Sequence, residues 1–287
     1  MSTEKILVTG ATGKVGRELV PLLLEAGVEV RAGTRNPGKA RELLGPDVET
    51  LELNYNWAAT YDASLTWSDR VFLVPPPFSP DAFEAMAPFI DWAVGAKVRH
   101  IVLLSGMGVP RDVALRRVEA HLEAQEVAHT ILRPNLYMQN FHPGFLARDI
   151  REEGRIRLPA GDGELSPVDV RDVAEVAARA LTSADHHGKG YTLTGAEAFT
   201  LEEAAQVLSE AAGRPIRYEA VSDDEFRTIL DKEGWRPAEV EVVLGLFRSV
   251  REGARAAVHP DVETVLGRSP RSLGSFAREA AAAGAWS

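Results

Sequence analysis

The sequence contains no cysteine. Disulfide bonds, thiolate catalysis and metal sites with cysteine ligands are therefore excluded. Positive charge is also in short supply, because 32 Lys and Arg residues stand against 42 Asp and Glu, for a formal net charge of −10. A nucleic-acid-binding surface needs clustered Lys and Arg, so this balance predicts no nucleic-acid partner.

Long apolar runs are missing too. No segment approaches the roughly 20 apolar residues of a membrane-spanning helix, and residues 1–4 lead directly into a strand pattern without the features of a secretion signal. Internal repeats and low-complexity linkers are also absent. We therefore expect a cytoplasmic, globular protein with no membrane partner. Its 45% hydrophobic content is ample for a large core.

The sequence does contain a glycine-spaced turn directly after an apolar run. Ile6-Leu7-Val8 is followed by Thr9-Gly10-Ala11-Thr12-Gly13-Lys14-Val15-Gly16. Glycine lets the backbone turn sharply and approach a phosphate closely, and the N–H groups at the start of the next helix attract the anion. The spacing is wider than the usual G-x-G-x-x-G, but the flanking strand and helix patterns complete a βαβ unit. The predicted dinucleotide-binding residues here are Gly10, Thr12, Gly13, Lys14 and Val15.

Strand and helix patterns alternate through the first half of the chain. The strand-like runs are short and continuously apolar, as expected when both faces of a parallel sheet are buried. This order predicts a Rossmann-type α/β fold, a doubly wound parallel sheet with a smaller, helix-rich C-terminal lobe. The predicted strands are 5–9, 29–34, 49–53, 70–74, 100–105 and 129–132; the predicted helices include 15–26, 81–94 and 113–124, and residues 55–68 are expected to be largely irregular.

Beyond residue 134 the pattern is richer in helices. Capping-box sequences beginning at Thr200 and Ser222 predict two helix starts. Further helices are expected at 137–150, 170–181 and after 237, with short strands at 190–194 and 216–220. We expect a dinucleotide-binding core over residues 1–150 and a substrate lobe over 151–287, with the late strands as candidates to rejoin the core sheet.

The end of the second predicted strand bears on the choice of cofactor. NAD sites usually carry an acidic residue there, whereas NADP sites carry a basic one for the 2′-phosphate. Here the chain reads Thr34-Arg35-Asn36-Pro37-Gly38-Lys39, with no acid. The guanidinium of Arg35 suits a phosphate, and Lys39 adds a second positive charge. The sequence therefore predicts NADP(H) rather than NAD(H).

Ligands of an open α/β sheet bind beyond the carboxyl ends of the strands. Residues following three predicted strands are therefore expected to border the nicotinamide and the substrate. The predicted cofactor contacts are Val74, Pro75, Ser105 and Gly106, and the predicted substrate contacts are Met107, Asn135, Tyr137 and Met138. Further aromatic candidates for an apolar pocket are Phe78, Phe141, Phe145, Trp235 and Phe247.

Taken together, these segments resemble the NmrA-like branch of the atypical short-chain dehydrogenase/reductase superfamily. The resemblance extends in order over nearly the whole chain, which is also similar to type 2 NAD(P)H:quinone oxidoreductases. The C-terminal part is similar to that of ergot-alkaloid-type reductases and their bacterial relatives. It implies a Rossmann core that binds NADP(H), with a small lobe over the nicotinamide. The matching segments are 9–16, 34–37, 70–74, 130–134, 137–141, 168–174, 193–195 and 201–204.

The superfamily's usual Tyr-x-x-x-Lys pair is absent, because no tyrosine in this chain has a lysine four residues later. In that pair the lysine lowers the tyrosine pKa so that the phenol can transfer a proton. Ser105 remains but is expected to be a turn or capping serine. Glu119 and His121 are candidate proton donors that we expect to lie exposed on a helix. Asp169 and Asp172 are interpreted as capping residues at a helix N-terminus.

Two functions remain open from the sequence. The first is an NADPH-dependent reductase that transfers hydride to a quinone, an imine or iminium, or an activated enone, acceptors that need no strong proton donor. Its substrate would be flat and apolar if the aromatic candidates converge. The second is a non-catalytic regulator of the NmrA type that senses NADP(H) and binds a protein partner.

Overall fold

The computed structural model describes residues 3–110 and 113–286. The chain forms two compact units, the first comprising Met1–Pro134 and Val170–Thr192, the second Asn135–Asp169 and Leu193–Ser287. The assignment thus changes three times along the chain, after residues 134, 169 and 192, where the sequence analysis expects one boundary, after residue 150.

Strands and helices alternate through most of the described residues. The strands are β1 (Lys5–Thr9), β2 (Glu29–Thr34), β3 (Glu49–Glu52), β4 (Arg70–Leu73), β5 (His100–Leu104), β6 (Ala128–Pro134), β7 (Arg155–Leu158), β8 (Lys189–Leu193) and β9 (Arg217–Ala220). The α-helices are α1 (Lys14–Glu25), α2 (Pro37–Leu44), α3 (Tyr61–Leu65), α4 (Ala82–Gly95), α5 (Ala114–Glu123), α6 (Ala147–Glu153), α7 (Val170–Thr182), α8 (Leu201–Ala212), α9 (Asp223–Lys232), α10 (Pro237–Arg251), α11 (Asp261–Leu266) and α12 (Leu273–Ala282).

The first unit is organised around a seven-stranded sheet with the order β3-β2-β1-β4-β5-β6-β8. The pairings of β1 with β2 and β4, and of β5 with β4 and β6, are all parallel. The chain therefore builds outward from β1 in one direction and then, from β4, in the other. This confirms the predicted Rossmann-type α/β fold, and the switch point between β1 and β4 is where such sheets bind ligands.

The central strands of this sheet are buried on both faces. Ile6, Leu7 and Val8 of β1 have no exposed surface, and all five residues of β5 are buried. Helix α1 packs its apolar stripe, which includes Leu19 and Leu23, into the same interior. The continuous apolar runs of the sequence thus correspond to doubly covered parallel strands.

The second unit has its own apolar core and a two-stranded parallel sheet of β7 and β9. Its core includes Phe226, Phe247, Phe276 and Trp286. The capping boxes predicted at the starts of α8 and α9 are both formed, with the Thr200 and Ser222 hydroxyls accepting backbone N–H bonds.

Three local predictions differ from the structure. The helix predicted over 137–150 is wrong, because only a 3-10 turn (Met138–Asn140) forms before α6 begins at Ala147. Pro143 lies between them and lacks the N–H that a continuous helix would use. Residues 55–68 are not largely irregular, since a 3-10 turn (Ala58–Thr60) leads into α3. Strand β7 was not predicted because two of its four residues are arginines.

Among the helices of the described ranges, none has both the length and the apolar character needed to cross a bilayer. Within the same ranges, no three His, Asp or Glu side chains are grouped so that they could hold a metal ion.

Candidate functional site

The glycine turn between β1 and α1 depends on glycine at two positions for different reasons. Gly10 has φ +60°, a left-handed conformation, and its carbonyl accepts the N–H of Gly13 at 2.9 Å. Gly16 packs directly on this turn, so that a Cβ there would overlap the Gly10 carbonyl and lie 2.6 Å from the Ala11 Cα. The turn is therefore held tightly against the first turn of the helix.

The N-terminus of α1 is capped by a residue without a side chain. Gly13 is the N-cap in an extended conformation and provides no side-chain hydrogen bond, and the first turn contains no acidic residue. The N–H groups of the first turn of a helix have no carbonyl partner within the helix, and the helix dipole adds partial positive charge there. This end of α1 is suited to an anionic group such as a pyrophosphate.

Lys14 adds a positive charge to the same turn. Burial lowers its pKa from 10.5 to about 8, because the interior disfavours the charged ammonium. An anion bound at the turn would favour the charged form and oppose this shift.

A cavity of about 230 Å³ lies beside the turn. Its lining includes Lys39, one of the predicted cofactor contacts, and Arg17, which was not among the predicted residues. Arg17 follows the glycine motif by a single residue, and this proximity was the available indication. Arg35 lies exposed on the adjoining chain but is not among the lining residues. The lining residues are Thr12, Arg17, Thr34, Asn36, Lys39 and Leu43.

The cavity wall at the end of β2 is fixed by local capping. The Asn36 side chain accepts the N–H of Lys39 at 3.1 Å and caps α2, and the Thr34 hydroxyl accepts the N–H of Asn36 at 3.2 Å. This positions Lys39 on the first turn of α2.

The ends of β1 and β4 are tied together by a hydroxyl network. The Thr9 hydroxyl accepts the N–H of Val74 at 2.8 Å and donates to the Phe72 carbonyl at 3.0 Å. The Tyr55 hydroxyl lies 2.9 Å from both the Thr9 hydroxyl and the Val74 carbonyl. Burial raises the pKa of Tyr55 well above its usual value. The phenol therefore makes its hydrogen bonds at the edge of the sheet as a neutral group. Val74 and Pro75 leave the sheet from this fixed point.

At the end of β5 the structure differs from the predicted exposure of Glu119. Glu119 is not exposed on α5, since only 1% of its side chain is accessible. It accepts a hydrogen bond from the Ser105 hydroxyl. Its second oxygen accepts bonds from Arg133, at 3.0 Å from Nε and 2.6 Å from Nη2, and from Arg116. His121, by contrast, is partly exposed and hydrogen-bonds Asp91 at 2.7 Å.

The indication of a buried acid was present in the sequence. Arg133 stands inside the apolar run Ile131-Leu132-Arg133-Pro134, and a charge in a buried strand needs a partner. Glu119 fills that role from the neighbouring helix. Gly106 and Met107 follow Ser105, and the Met107 N–H donates to the Pro134 carbonyl at 2.9 Å, which extends the pairing of β5 with β6.

Two residues predicted to contact the substrate already have partners within the second unit. Asn135 is buried, and its amide donates to the carbonyls of Ser166 and Arg255, at 3.2 and 2.9 Å. Met138 is 1% exposed and belongs to the apolar core. Both residues thus have packing or hydrogen-bonding roles of their own.

Tyr137 is surrounded by other aromatic side chains of the second unit. It lines an apolar cavity of about 20 Å³ within the second unit, together with Phe141, Phe145 and Phe247. Burial raises the pKa of Tyr137 well above its usual value. Three of the sequence-predicted aromatic candidates thus converge on Tyr137, whereas Phe78 and Trp235 do not line this cavity.

Asp169 and Asp172 occupy the start of α7. Asp169 immediately precedes the helix and Asp172 lies in its first turn, and both are fully buried. The Gln139 amide donates to Asp169 at 2.9 Å. Their placement agrees with the predicted association with a helix N-terminus.

The chain is similar to known proteins over nearly its full length. It is 38% identical to (4-alkanoyl-5-oxo-2,5-dihydrofuran-3-yl)methyl phosphate reductase of Streptomyces griseus, covering 97% of this chain and 98% of the relative. It is 34% identical to NAD(P)H azoreductase of Xenophilus azovorans, covering 97% and 98%. Triphenylmethane reductase of Citrobacter sp., solved with NADP(H), superposes with a TM-score of 0.81 at 25% identity, covering 96% of this chain and 99% of that one.

The family model matches the same extent of sequence. The description "NmrA-like family" applies to residues 2–273, which include the glycine turn, the β5–α5 region and most of the second unit. With this match and relatives above 30% identity over the whole chain, the protein belongs to the NmrA-like family.

Proposed function

We propose that this protein is an NADP(H)-dependent reductase that transfers hydride to a conjugated small-molecule acceptor. The observation that carries the proposal is the N-terminus of α1, which begins at Gly13 beside a cavity bordered by Arg17 and Lys39. That combination offers backbone donors for a pyrophosphate and two cations for an additional phosphate.

The residues present fit NADP(H) in detail. At Gly10 and Gly13 a bound phosphate would meet backbone rather than side chains, and Lys14 would add a cation at the same turn. Arg17 and Lys39, with Arg35 on the adjoining chain, account for a 2′-phosphate better than for a bare ribose hydroxyl, since no acid stands at the end of β2. When bound, the cofactor supplies a hydride from its nicotinamide ring.

The hydrogen bonding at β5 favours acceptors that need no acid from the protein. The Ser105 proton is directed to the carboxylate of Glu119, and no Tyr-x-x-x-Lys pair is available. A quinone or an activated enone can receive hydride because its conjugated carbonyl delocalises the negative charge, and water can then supply the proton; an iminium ion is already cationic and becomes a neutral amine on receiving hydride, with no proton needed. The chain's contribution is then to hold the two reactants in contact geometry.

The names of the relatives support this acceptor class. One is named for reduction of an acylated unsaturated lactone, one for azo compounds and one for triphenylmethanes. The lactone carries a carbon–carbon double bond conjugated with carbonyl groups, and azo compounds carry an N=N double bond that can be conjugated with aromatic rings. The aromatic cavity around Tyr137 suits a flat, apolar ring, although 20 Å³ holds no more than about one water molecule. Binding a ring there requires side chains to move, and Phe145, which is 39% exposed, is the one best placed to do so.

The proposal is tested by following the loss of NADPH absorbance with a panel of quinones, cyclic imines, azo dyes and activated enones. Turnover with at least one class supports the proposal. Tight NADPH binding without turnover on any acceptor would overturn the reductase and favour the regulator of the NmrA type.

A further inference from the structure

We propose that Glu119 is a positioning residue that holds the Ser105 hydroxyl as a hydrogen-bond acceptor for the carboxamide N–H of bound nicotinamide. The inference rests on the proposed function, because it assumes that the nicotinamide lies at the carboxyl end of β5. In this role Ser105 accepts a hydrogen bond from the ligand, whereas a serine that acts on a substrate oxygen donates one.

Ser105 has a single hydroxyl hydrogen, and its bond to Glu119 uses it. A carboxylate only accepts hydrogen bonds, so the Ser105–Glu119 contact uses the serine hydrogen. The oxygen of Ser105 then has only lone pairs left for any ligand. Its backbone is fixed as well, because the Ser105 N–H donates to the Leu132 carbonyl at 2.7 Å.

Two arginines favour the charged form of Glu119. Arg133 and Arg116 both donate to its Oε2, which leaves Oε1 for Ser105. Two guanidinium groups against one oxygen stabilise the carboxylate form of Glu119, whose side chain is 1% accessible. The arginines therefore keep Glu119 in the form that only accepts hydrogen bonds, so the Ser105 hydroxyl must be the donor.

The guanidinium of Arg133 fills the space beside a glycine of β8. The guanidinium of Arg133 crosses β8 at Gly190, where any Cβ would overlap Nη1. β8 thus leaves room for Arg133 by having no side chain at this position. Three elements of the first unit, α5, β6 and β8, contribute to holding one carboxylate against Ser105.

The consequence for a ligand is specific. A group that meets the Ser105 oxygen forms a hydrogen bond only if it is a donor, such as an amide N–H. A carbonyl oxygen at the same place faces lone pairs and forms none. The carboxamide of nicotinamide presents an N–H₂ group, whereas the acetyl group of the 3-acetylpyridine analogue of NADP⁺ presents none.

The test is therefore the ratio of the dissociation constants of this analogue and of NADP⁺, measured by titration. Ser105→Ala should reduce the wild-type ratio by about three- to tenfold, the worth of one hydrogen bond. In Glu119→Gln the arginines retain the amide oxygen, so the amide N–H₂ turns toward Ser105 and releases the serine proton. The ratio should fall at least as far as in Ser105→Ala.

The controls separate positioning from general damage. Because both ligands bind the same folded molecules, a loss of folded protein leaves their ratio unchanged. Glu123→Gln removes an exposed acid within 3.8 Å of Arg116 and 3.7 Å of Arg133 but without contact to Ser105, and should keep the wild-type ratio. The double variant Ser105→Ala/Glu119→Gln should match Ser105→Ala alone.

An unchanged ratio in Glu119→Gln, or a further change in the double variant, would overturn the positioning role while leaving the proposed function intact. If the wild-type protein bound neither nucleotide, the proposed function and this inference would both be overturned.

Discussion

Gly16 in the first turn of α1 lies directly against the carbonyl of Gly10 in the preceding turn, without space for a Cβ between them. A Cβ on Gly13, by contrast, would lie 3.1 Å from the same carbonyl oxygen. The two glycines therefore serve different ends: Gly16 allows the helix to pack on the turn, and Gly13 leaves the helix N-terminus open.

Substitutions at these glycines should separate folding from binding. Gly16→Ala should lower the free energy of unfolding by about 1–3 kcal/mol, as for an overpacked site. Gly13→Val should fold, yet lose NADPH affinity by roughly tenfold or more, because a branched side chain covers the N–H groups. Urea unfolding and NADPH titration of both variants provide the check. Wild-type NADPH affinity in a folded Gly13→Val would contradict the pyrophosphate site.

The basic residues near the cavity should determine the preference for NADPH over NADH. Arg17→Ala and Lys39→Ala should each weaken NADPH binding by about tenfold, the order expected for a hydrogen bond to a charged group, and weaken NADH binding less. Arg35→Ala should act in the same direction. Arg41→Ala is the matched control, since Arg41 lies exposed on α2 outside the cavity. Equal losses for both nucleotides would argue against a 2′-phosphate site here.

Lys14 should make cofactor binding sensitive to alkaline pH. Its pKa of about 8 means that the unliganded protein loses this positive charge as the pH rises above 8. The dissociation constant for NADPH should therefore increase from pH 7 to pH 9 or so, and binding near pH 8 should take up protons. In Lys14→Gln the dependence should flatten, whereas in Lys39→Gln it should persist on a weaker baseline. A dependence that is identical in wild type and Lys14→Gln would refute this assignment.

His100 should make the fold sensitive to acid. It is buried at the start of β5, its ring lies 4.3 Å from that of His187, and its Nε2 lies 3.0 Å from the Thr130 hydroxyl. Burial first, then the charges of His187, Arg70, His129 and His186, lower its pKa from 6.5 to about 3.

Between pH 6.5 and about pH 3 the unfolded chain binds a proton at His100 that the folded chain does not. Stability from this group is therefore complete above pH 6.5 and declines as the pH falls toward 3, by up to about 1.4 kcal/mol per pH unit. Urea unfolding at pH 7, 6 and 5 should show a smaller decline in His100→Gln than in wild type. An equal decline in wild type and His100→Gln would contradict this assignment.

Much of the fold was predictable because its determinants are local. The apolar runs that became β1 and β5, the glycine turn and the capping boxes at Thr200 and Ser222 each follow from residues close together in sequence. The helix predicted over 137–150 does not form because Pro143 lacks an N–H, which is a stronger constraint than the helical spacing of the apolar residues around it.

The polar part of the site was less predictable because it joins residues far apart in sequence. Glu119 has the neighbours of a surface helix residue, and only its pairing with Arg133 on β6 and the gap at Gly190 on β8 explain its burial. Arg17 illustrates the same limit, since its proximity to Lys39 depends on how α1 and α2 flank one cavity. Sequence spacing does not specify either contact.

The most direct test of the account is the oxidation of NADPH by a para-quinone, measured in parallel with NADH and with the folded Gly13→Val variant. The account predicts turnover by the wild-type protein, with a lower KM for NADPH than for NADH, and little or no turnover by Gly13→Val. Turnover that is unchanged in Gly13→Val, or the absence of both nucleotide binding and oxidation in the wild-type protein, would contradict it.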